Sequence, residues 1–205
     1  ALPILQRVGI LRDGMWTIQW TNSMPGSHNA LNAAAAAILA SKLGLDWELM
    51  LESLEQFTGL DRRLQNLGTF PCKDGGAATV FDDYGHHPTE IEMTLKALRS
   101  SELPKRLICV FQPHQHSRTR FLLDQFAQSF SSADEIIVPH IYFVRDSEAE
   151  QQRVSAQDLV DKLDAQGLDA KHINNFDDIV LHLQENALDG DLIVIMGAGP
   201  VTSIA

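Results

Sequence analysis

The sequence predicts an α/β protein, in which a Rossmann-like, doubly wound and mostly parallel sheet follows a smaller segment with a hairpin and two helices. Two observations support this fold class. From about residue 77, short apolar runs alternate with amphipathic stretches, and clusters of polar residues follow several of the runs directly. Continuous apolar strands that alternate with helices are typical of a parallel sheet covered by helices on its faces.

The first segment contains two β-like runs and two helical stretches. The runs 4–11 and 15–20 flank Arg12-Asp13-Gly14 and predict a hairpin. A helix is predicted over 28–43, with Gly44 as its end, and Asp46 is suited to cap a second helix over 47–57. Residues 1–67 contain too few strands for an independent α/β domain. We therefore expect them to be the end of a larger domain, with a boundary between residues 67 and 68.

The second segment, residues 68–205, carries the regular alternation of strands and helices. Strands are predicted at 77–81, 106–111, 135–138, 170–173 and 192–196, and helices at 87–100, 118–130, 155–166 and 176–186. Right-handed crossovers between parallel strands would make this domain doubly wound. Ligands of such a domain are expected beyond the carboxyl ends of the strands.

Composition and charge exclude some classes of binding partner and indicate the cellular compartment. The chain has 205 residues and a formal net charge of −11, so nucleic acid and anionic membrane are poor partners. Cys72 and Cys109 show no metal-ligand spacing, which predicts unpaired thiols in a reducing compartment. The sequence contains no signal-peptide pattern and no apolar run of the ~18 residues that a membrane span needs. These features predict a cytoplasmic protein.

Two polar clusters precede the second segment. His28, Asn29 and Asn32 lie in the first turns of the first predicted helix, and paired amide donors and acceptors suit the edge of a purine ring. The alternative is that Ser27 or Asn29 merely caps this helix. Arg62-Arg63 follows the second helix, where guanidinium groups could bind phosphate or could simply be solvated charges.

Two further clusters follow predicted strands. Asp82-Asp83-Tyr84-Gly85-His86-His87-Pro88-Thr89-Glu90 combines acids, histidines and a proline suited to the first position of a helix. It is either a ligand site or an ordinary turn with an unusual density of ionisable groups. Residues 112–120 place His114 and Arg118 at a helix start, where positive charge suits a carboxylate or phosphate. Gly197-Ala198-Gly199 predicts a tight turn and lacks the third glycine of a dinucleotide fingerprint.

These clusters, in this order, resemble the Mur ligase family over nearly the whole chain. Gly26-x-His28-Asn29-x-x-Asn32 is similar to the adenine motif of its central domain. Asp82 to Glu90 and Phe111-Gln112-Pro113-His114 are similar to the branch that joins L-alanine to UDP-N-acetylmuramate. The resemblance implies an ATP-dependent ligase of peptidoglycan precursor synthesis that uses Mg²⁺ and forms an acyl phosphate.

The resemblance also implies roles for individual residues. ATP would be bound by His28, Asn29, Asn32, Arg63 and Asp83, and the incoming alanine by Tyr84, His86, His114 and Arg118. The phosphate loop, the Mg²⁺ ligands and the UDP-binding domain would lie outside this chain, because no Gly-x-x-x-x-Gly-Lys-Ser/Thr occurs in it. We therefore expect no catalytic residue or metal ligand within these residues and no turnover by the chain alone.

Two departures from the family pattern leave alternatives open. Gln115 and His116 stand where the family usually has an arginine and an aromatic residue, and residues 141–148 differ from the commonest form of the branch. Loss of that arginine removes one cationic contact to the amino acid, so either Arg118 suffices or the choice of amino acid differs. Two other functions are also weighed: a recycling ligase that attaches a preformed peptide to the same sugar nucleotide, which usually has Phe-Ala in place of Tyr84-Gly85 and lacks Gln112-Pro113-His114, and a non-catalytic module that binds nucleotide or amino acid. A purely structural α/β domain would leave the polar clusters unexplained.

Overall fold

The computed structural model describes residues 6–12, 15–22 and 24–205. They form two compact units. Unit 1 contains the described residues up to Leu60 together with 96–102, and unit 2 contains 61–95 and 103–205. The units divide between Leu60 and Asp61, whereas the domain boundary between residues 67 and 68 stays a prediction.

Unit 1 contains the predicted hairpin and two helices. Strands β1 (Gln6–Arg12) and β2 (Met15–Asn22) pair antiparallel, with a register shift between Ile10 and Leu11. The predicted turn residues Asp13 and Gly14 lie outside the described residues. Helix α1 spans Ser27–Lys42 and helix α2 spans Trp47–Gln56. Asp46 caps α2 as predicted, because its carboxylate accepts hydrogen bonds from the backbone N–H groups of Glu48 and Leu49.

Unit 2 is built on a six-stranded sheet in the order β3-β4-β8-β5-β6-β7. The strands are β3 (Gln65–Pro71), β4 (Ala77–Asp83), β5 (Arg106–Phe111), β6 (Glu135–Val138), β7 (Ala170–His172) and β8 (Asp191–Met196). All neighbours from β4 to β7 are parallel, which confirms the predicted fold class. Strand β3 pairs antiparallel with β4 at one edge. It was not predicted, because most of its side chains are exposed and no apolar run marks it.

Helices connect these strands. They are α3 (Pro88–Glu102), α4 (His116–Phe121), α5 (Leu123–Gln128), α6 (Glu148–Gln151), α7 (Ala156–Asp164) and α8 (Phe176–Asn186), and a 3₁₀ helix spans Pro200–Ile204. The single helix predicted over 118–130 is instead two helices. The first begins at His116, the second begins at Leu123, and Leu122 lies between them. The short α6 and the 3₁₀ helix were not predicted.

Both faces of the sheet are covered by apolar side chains. On one face, Ile108 and Ile193 pack in a buried cluster with Ile179 and Leu183 of α8. On the other face, the ring of Phe111 lies 5.5 Å from that of Phe126 and 5.4 Å from that of Phe130. Strand β8 lies between β4 and β5, so the segments after these three parallel strands meet at one edge of the sheet. We call this edge the carboxyl edge.

Composition predicts unpaired thiols and no membrane-spanning segment. Cys72 and Cys109 are both buried and free, as predicted. Within the described part of the chain, no helix combines the length and the apolar character that a bilayer span requires.

Candidate functional site

Strand β4 ends at the carboxyl edge with two buried carboxylates. These belong to Asp82 and Asp83. The Asp83 carboxylate accepts hydrogen bonds from two backbone N–H groups, that of Leu64 at 2.9 Å and that of Gly85 at 2.8 Å. Burial raises the pKa of the Asp83 carboxyl above its ordinary value, although these donors and the Arg63 charge oppose the effect. Asp83 therefore holds the chain on both sides of the strand end in place. Its contact with a ribose stays a prediction.

Arg62 connects three segments at the same edge. Its Nε lies 3.3 Å from Oδ2 of Asp82, an atom that also accepts a hydrogen bond from Thr202 Oγ1 at 2.8 Å. Its Nη2 donates to the carbonyl oxygens of Gly197, at 2.5 Å, and of Gly199, at 3.4 Å. Arg62 thus ties the Arg62–Leu64 turn to the ends of β4 and β8.

Tyr84 lies beneath two arginines. The guanidinium carbon of Arg62 is 5.0 Å from the centre of the Tyr84 ring, and that of Arg63 is 5.4 Å from it. Both distances are in the range of cation–π contacts. Arg63 also lies 3.9 Å from a carboxylate oxygen of Glu90, but its side chain is 47% exposed and available to a ligand.

Four rings form a continuous row along the carboxyl edge. The ring centres are separated by 5.4 Å for Tyr84 and His86, 5.9 Å for His86 and His114, and 5.6 Å for His114 and Tyr142. We call Tyr84, His86, His114 and Tyr142 the ring row. It brings together three residues that the sequence predicted and adds Tyr142, which lies in a segment noted only for its unusual sequence.

The two adjacent histidines at the start of α3 have separate roles. His87 caps the helix, because its Nδ1 accepts a hydrogen bond from Thr89 N–H, and Glu90 completes a capping box. His86 faces the ring row, and its backbone N–H donates to Glu90 at 3.0 Å. Pro88 occupies the start of the helix as predicted. The turn therefore caps a helix and also presents a side chain to the site.

His114 lies in a positively charged environment. Burial and the charges of Arg118, His86 and Arg145, in that order, lower the pKa of His114 and keep its imidazole neutral at pH 7. Its Nδ1 and Nη1 of Arg118 are buried atoms without a hydrogen-bond partner among the described residues. The hydrogen-bonding capacity of these two atoms is therefore unused among the described residues.

The predicted tight turn after β8 packs against Gln112. The side chain of Gln112 is fully buried, and its amide nitrogen donates to the carbonyl oxygen of His140 at 3.3 Å. A Cβ atom on Gly199 would lie 2.6 Å from Gln112 Oε1 and 3.0 Å from the Tyr142 ring. Only glycine allows this close approach, so the turn forms one side of the candidate site.

The three predicted adenine contacts lie in unit 1, at the start of α1. The N-cap residue is Gly26, so the N-cap position provides no side-chain capping bond. The side chain of Asn29 instead donates from Nδ2 to the carbonyl oxygen of Pro25 at 2.7 Å. The alternative that Ser27 or Asn29 caps this helix is therefore wrong. A Cβ atom on Gly26 would lie 2.6 Å from Cε1 of His28, so glycine lets that ring fold over the helix start. Asn32 is exposed. The contacts of all three with adenine stay predictions.

Histidine, cysteine, aspartate and glutamate side chains are common metal ligands in proteins. Throughout residues 6–12, 15–22 and 24–205, no three of them are grouped in a way that could hold a metal ion. The location of the Mg²⁺ ligands outside this chain stays a prediction.

The fold and the ring row define an α/β domain whose candidate site lies at the carboxyl edge of a parallel sheet. Residues 62–199 match the family described as Mur ligase, glutamate ligase domain. The chain therefore belongs to the Mur ligase family, which confirms the resemblance inferred from its motifs.

Curated relatives agree with this assignment. A UDP-N-acetylmuramate–L-alanine ligase of Caldanaerobacter subterraneus subsp. tengcongensis is 42% identical over 182 residues, which cover 89% of this chain and 38% of the relative. One of Nitrosomonas europaea is 38% identical over 189 residues, covering 90% of this chain and 39% of the relative. The chain thus spans about two fifths of the length of these relatives.

Solved structures also resemble the chain. A UDP-N-acetylmuramate–alanine ligase of Thermotoga maritima matches with a TM-score of 0.77 and 25% identity, covering 98% of this chain and 41% of that one. A murein peptide ligase of Psychrobacter arcticus matches with a TM-score of 0.67 and 27% identity, covering 91% and 37%.

Proposed function

We propose that this chain is part of a ligase that joins L-alanine to UDP-N-acetylmuramate, and that it binds the amino acid and part of the ATP. The observation that carries the proposal is the ring row with the unpaired Nη1 of Arg118, located where α/β sheets bind ligands. The names of the curated relatives support the same substrate pair.

The reaction has two steps with different requirements. The terminal phosphate of ATP passes to the substrate carboxylate to give an acyl phosphate and ADP. The alanine amine then attacks the acyl carbon, an amide bond forms, and phosphate leaves. An ammonium group is not a nucleophile, so alanine must lose a proton before it attacks. A neutral His114, whose Nδ1 has no partner among the described residues, is suited to accept a hydrogen bond from that amine.

The remaining predicted residues divide between the other groups of the substrates. Arg118 suits the alanine carboxylate, because a guanidinium binds a carboxylate through paired hydrogen bonds. Arg63 is exposed enough to reach a phosphate, and Asp83 is assigned to the ribose. His28, Asn29 and Asn32 are assigned to adenine. Mg²⁺ would neutralise charge during phosphoryl transfer, with ligands outside this chain.

Phosphate release tests the proposal. Residues 1–205 would replace the matching segment of the Caldanaerobacter ligase, and we expect phosphate release that requires ATP, UDP-N-acetylmuramate and L-alanine. The 205-residue chain alone should release none. Turnover by the isolated chain would overturn its assignment as an incomplete enzyme. Release with a preformed peptide but not with L-alanine would identify a recycling ligase, and ligand binding without release would identify a non-catalytic module.

Arg118→Ala in the same hybrid protein should lower kcat/KM for L-alanine by about tenfold to a hundredfold, the usual effect of losing one charged hydrogen bond. The KM values for ATP and UDP-N-acetylmuramate should stay unchanged. Arg153→Ala is the matched control, because Arg153 is 59% exposed and pairs with Glu150. An equal loss in both variants would contradict the role of Arg118.

A further inference from the structure

A second arginine lies near His114, on the segment that follows β6. Tyr142 N–H donates to the carbonyl oxygen of Pro113 at 2.9 Å, and Gln115 N–H donates to that of Tyr142 at 3.0 Å. These bonds form a parallel bridge between His114 and Tyr142. The residues after Tyr142 therefore run alongside the start of α4.

Two contacts fix the backbone on either side of Arg145. Gln115 Nε2 donates to the carbonyl oxygen of Val144 at 3.3 Å, and the carboxylate of Asp146 accepts from Ser117 N–H at 3.0 Å. Arg145 itself has a φ of 52°, in the left-handed region that residues with a Cβ rarely adopt. Such a conformation persists where the surroundings impose it, and it is concentrated at functional sites.

Arg145 differs from most arginines around it, because no carboxylate among the described residues forms an ion pair with it. Arg62 pairs with Asp82, Arg63 lies near Glu90, and Arg120 and Arg153 both pair with Glu150. Within residues 6–12, 15–22 and 24–205, neither Arg145 nor Arg118 makes an ion pair with a carboxylate. The charges of both nevertheless act on His114. Two guanidinium groups therefore act on one imidazole, a charge pattern that suits an anion even in a chain whose net charge is −11.

Gln115 lies beside the segment that bears Arg145. It carries no charge, and its amide group is used to hold the segment that bears Arg145. Position 115 thus contributes an anchor, and Arg145 supplies the positive charge.

We propose that Arg145 and Arg118 together bind the carboxylate of the incoming amino acid. This inference rests on the proposed function, because it takes the amino acid of that reaction as the ligand. Two guanidinium groups can bind both carboxylate oxygens and exclude amine substrates that lack the anion.

NMR titration of the 205-residue chain with L-alanine and with L-alaninamide, which has no carboxylate, tests the inference. We expect Arg145→Ala to weaken L-alanine binding by about tenfold to a hundredfold. Binding of L-alaninamide should not change. The affinity of Arg145→Lys for L-alanine should lie between those of the wild type and Arg145→Ala, because lysine keeps the charge and loses the planar guanidinium. Arg153→Ala removes an equal charge from an exposed site and should leave both affinities unchanged.

The outcomes separate the inference from the proposed function. If the wild-type chain binds L-alanine and Arg145→Ala binds it equally well, the inference is overturned and the proposed function stands. If the wild-type chain binds neither L-alanine nor L-alaninamide, the proposed function fails. Inorganic phosphate is the competing anion: if Arg145→Ala weakens phosphate binding and leaves L-alanine binding intact, the pair serves a phosphate and the inference is overturned.

A second substitution tests whether the charge itself matters. In the Arg145→Ala background, Gln115→Arg should recover part of the affinity for L-alanine, because it returns a cation beside the same segment, although it also removes the Gln115 hydrogen bond to Val144. Gln115 already has a φ of 69°, so arginine there introduces no new type of backbone strain. Recovery supports the inference, since a purely structural role of Arg145 would not be restored by a charge at position 115.

Discussion

Replacing Arg62 with methionine is expected to lower the free energy of unfolding of unit 2 by about 3 kcal/mol. The substitution leaves the Asp82 carboxylate, whose side chain is 3% exposed, with a hydrogen bond from Thr202 and no counter-charge. It also removes the donor that satisfies the carbonyl oxygen of Gly197. A buried charge that loses its partner costs more than a surface ion pair contributes. Urea unfolding at pH 7, followed by circular dichroism, measures the change.

The neighbouring Arg63 provides the control for this prediction. Arg63→Met removes a side chain that is 47% exposed and lies 3.9 Å from Glu90, so it should change the free energy of unfolding by less than about 1 kcal/mol. In the hybrid ligase, however, Arg63→Met should raise the KM for ATP. Equal destabilisation by the two substitutions would show that Arg62 does not organise the site.

Glu135→Ala is expected to destabilise the protein by about 3 kcal/mol at pH 7. Glu135 is 2% exposed and begins β6 at the edge of the sheet opposite the ring row. Its Oε1 lies 2.8 Å from both Lys171 Nζ and His182 Nε2, and its Oε2 lies 3.3 Å from Arg106 Nη1. Removing the carboxylate therefore leaves three cationic or polar groups without their shared partner.

Asp124→Ala is the matched control for Glu135→Ala. Asp124 also forms a close pair, 2.6 Å from Lys162 Nζ, but its side chain is 81% exposed. Exposed pairs contribute at most about 1 kcal/mol. A similar loss of stability in both variants would mean that burial of Glu135 does not determine its contribution.

The contribution of Glu135 should also depend on pH. Burial raises its pKa, but hydrogen bonds from Lys171 and His182 outweigh that effect and lower the pKa below the ordinary value. The folded state therefore binds this proton less readily than the unfolded state does. The stabilisation should be complete above about pH 4.3, the ordinary pKa of Glu, and should be lost as pH falls through the lowered pKa. Urea unfolding between pH 7 and pH 3 should show the difference between wild type and Glu135→Gln shrinking with acidification.

Buried elements were the ones that the sequence predicted best. The predicted bounds of β5, β6 and α8 agree with the structure, because these elements carry uninterrupted apolar runs or a clear amphipathic period. Strand β3 was missed because an exposed edge strand with Gly68 at a register shift has no such pattern. The division of the helix at Leu122 follows no breaker in the sequence.

The candidate site was predicted in part, for a related reason. Short motifs that directly follow strands contain Tyr84, His86 and His114. Predicting where the strands end was therefore enough to place these residues at the carboxyl edge. Tyr142 and Arg145 reach the same edge only through backbone pairing with residues 113–117. Local composition does not show such pairing, which is why the unusual segment 141–148 was noticed and its role was not.

The central place of β8 has a consequence for the order of folding. Strands β4 and β5 share no hydrogen bonds, because β8 lies between them. The pair β3–β4 and the group β5–β6–β7 are therefore joined into one sheet only when β8, which follows all of them in sequence, inserts between them. During synthesis, the carboxyl edge cannot assemble until β8 has left the ribosome, so the nascent chain must keep its two half-sheets from pairing with other molecules until then.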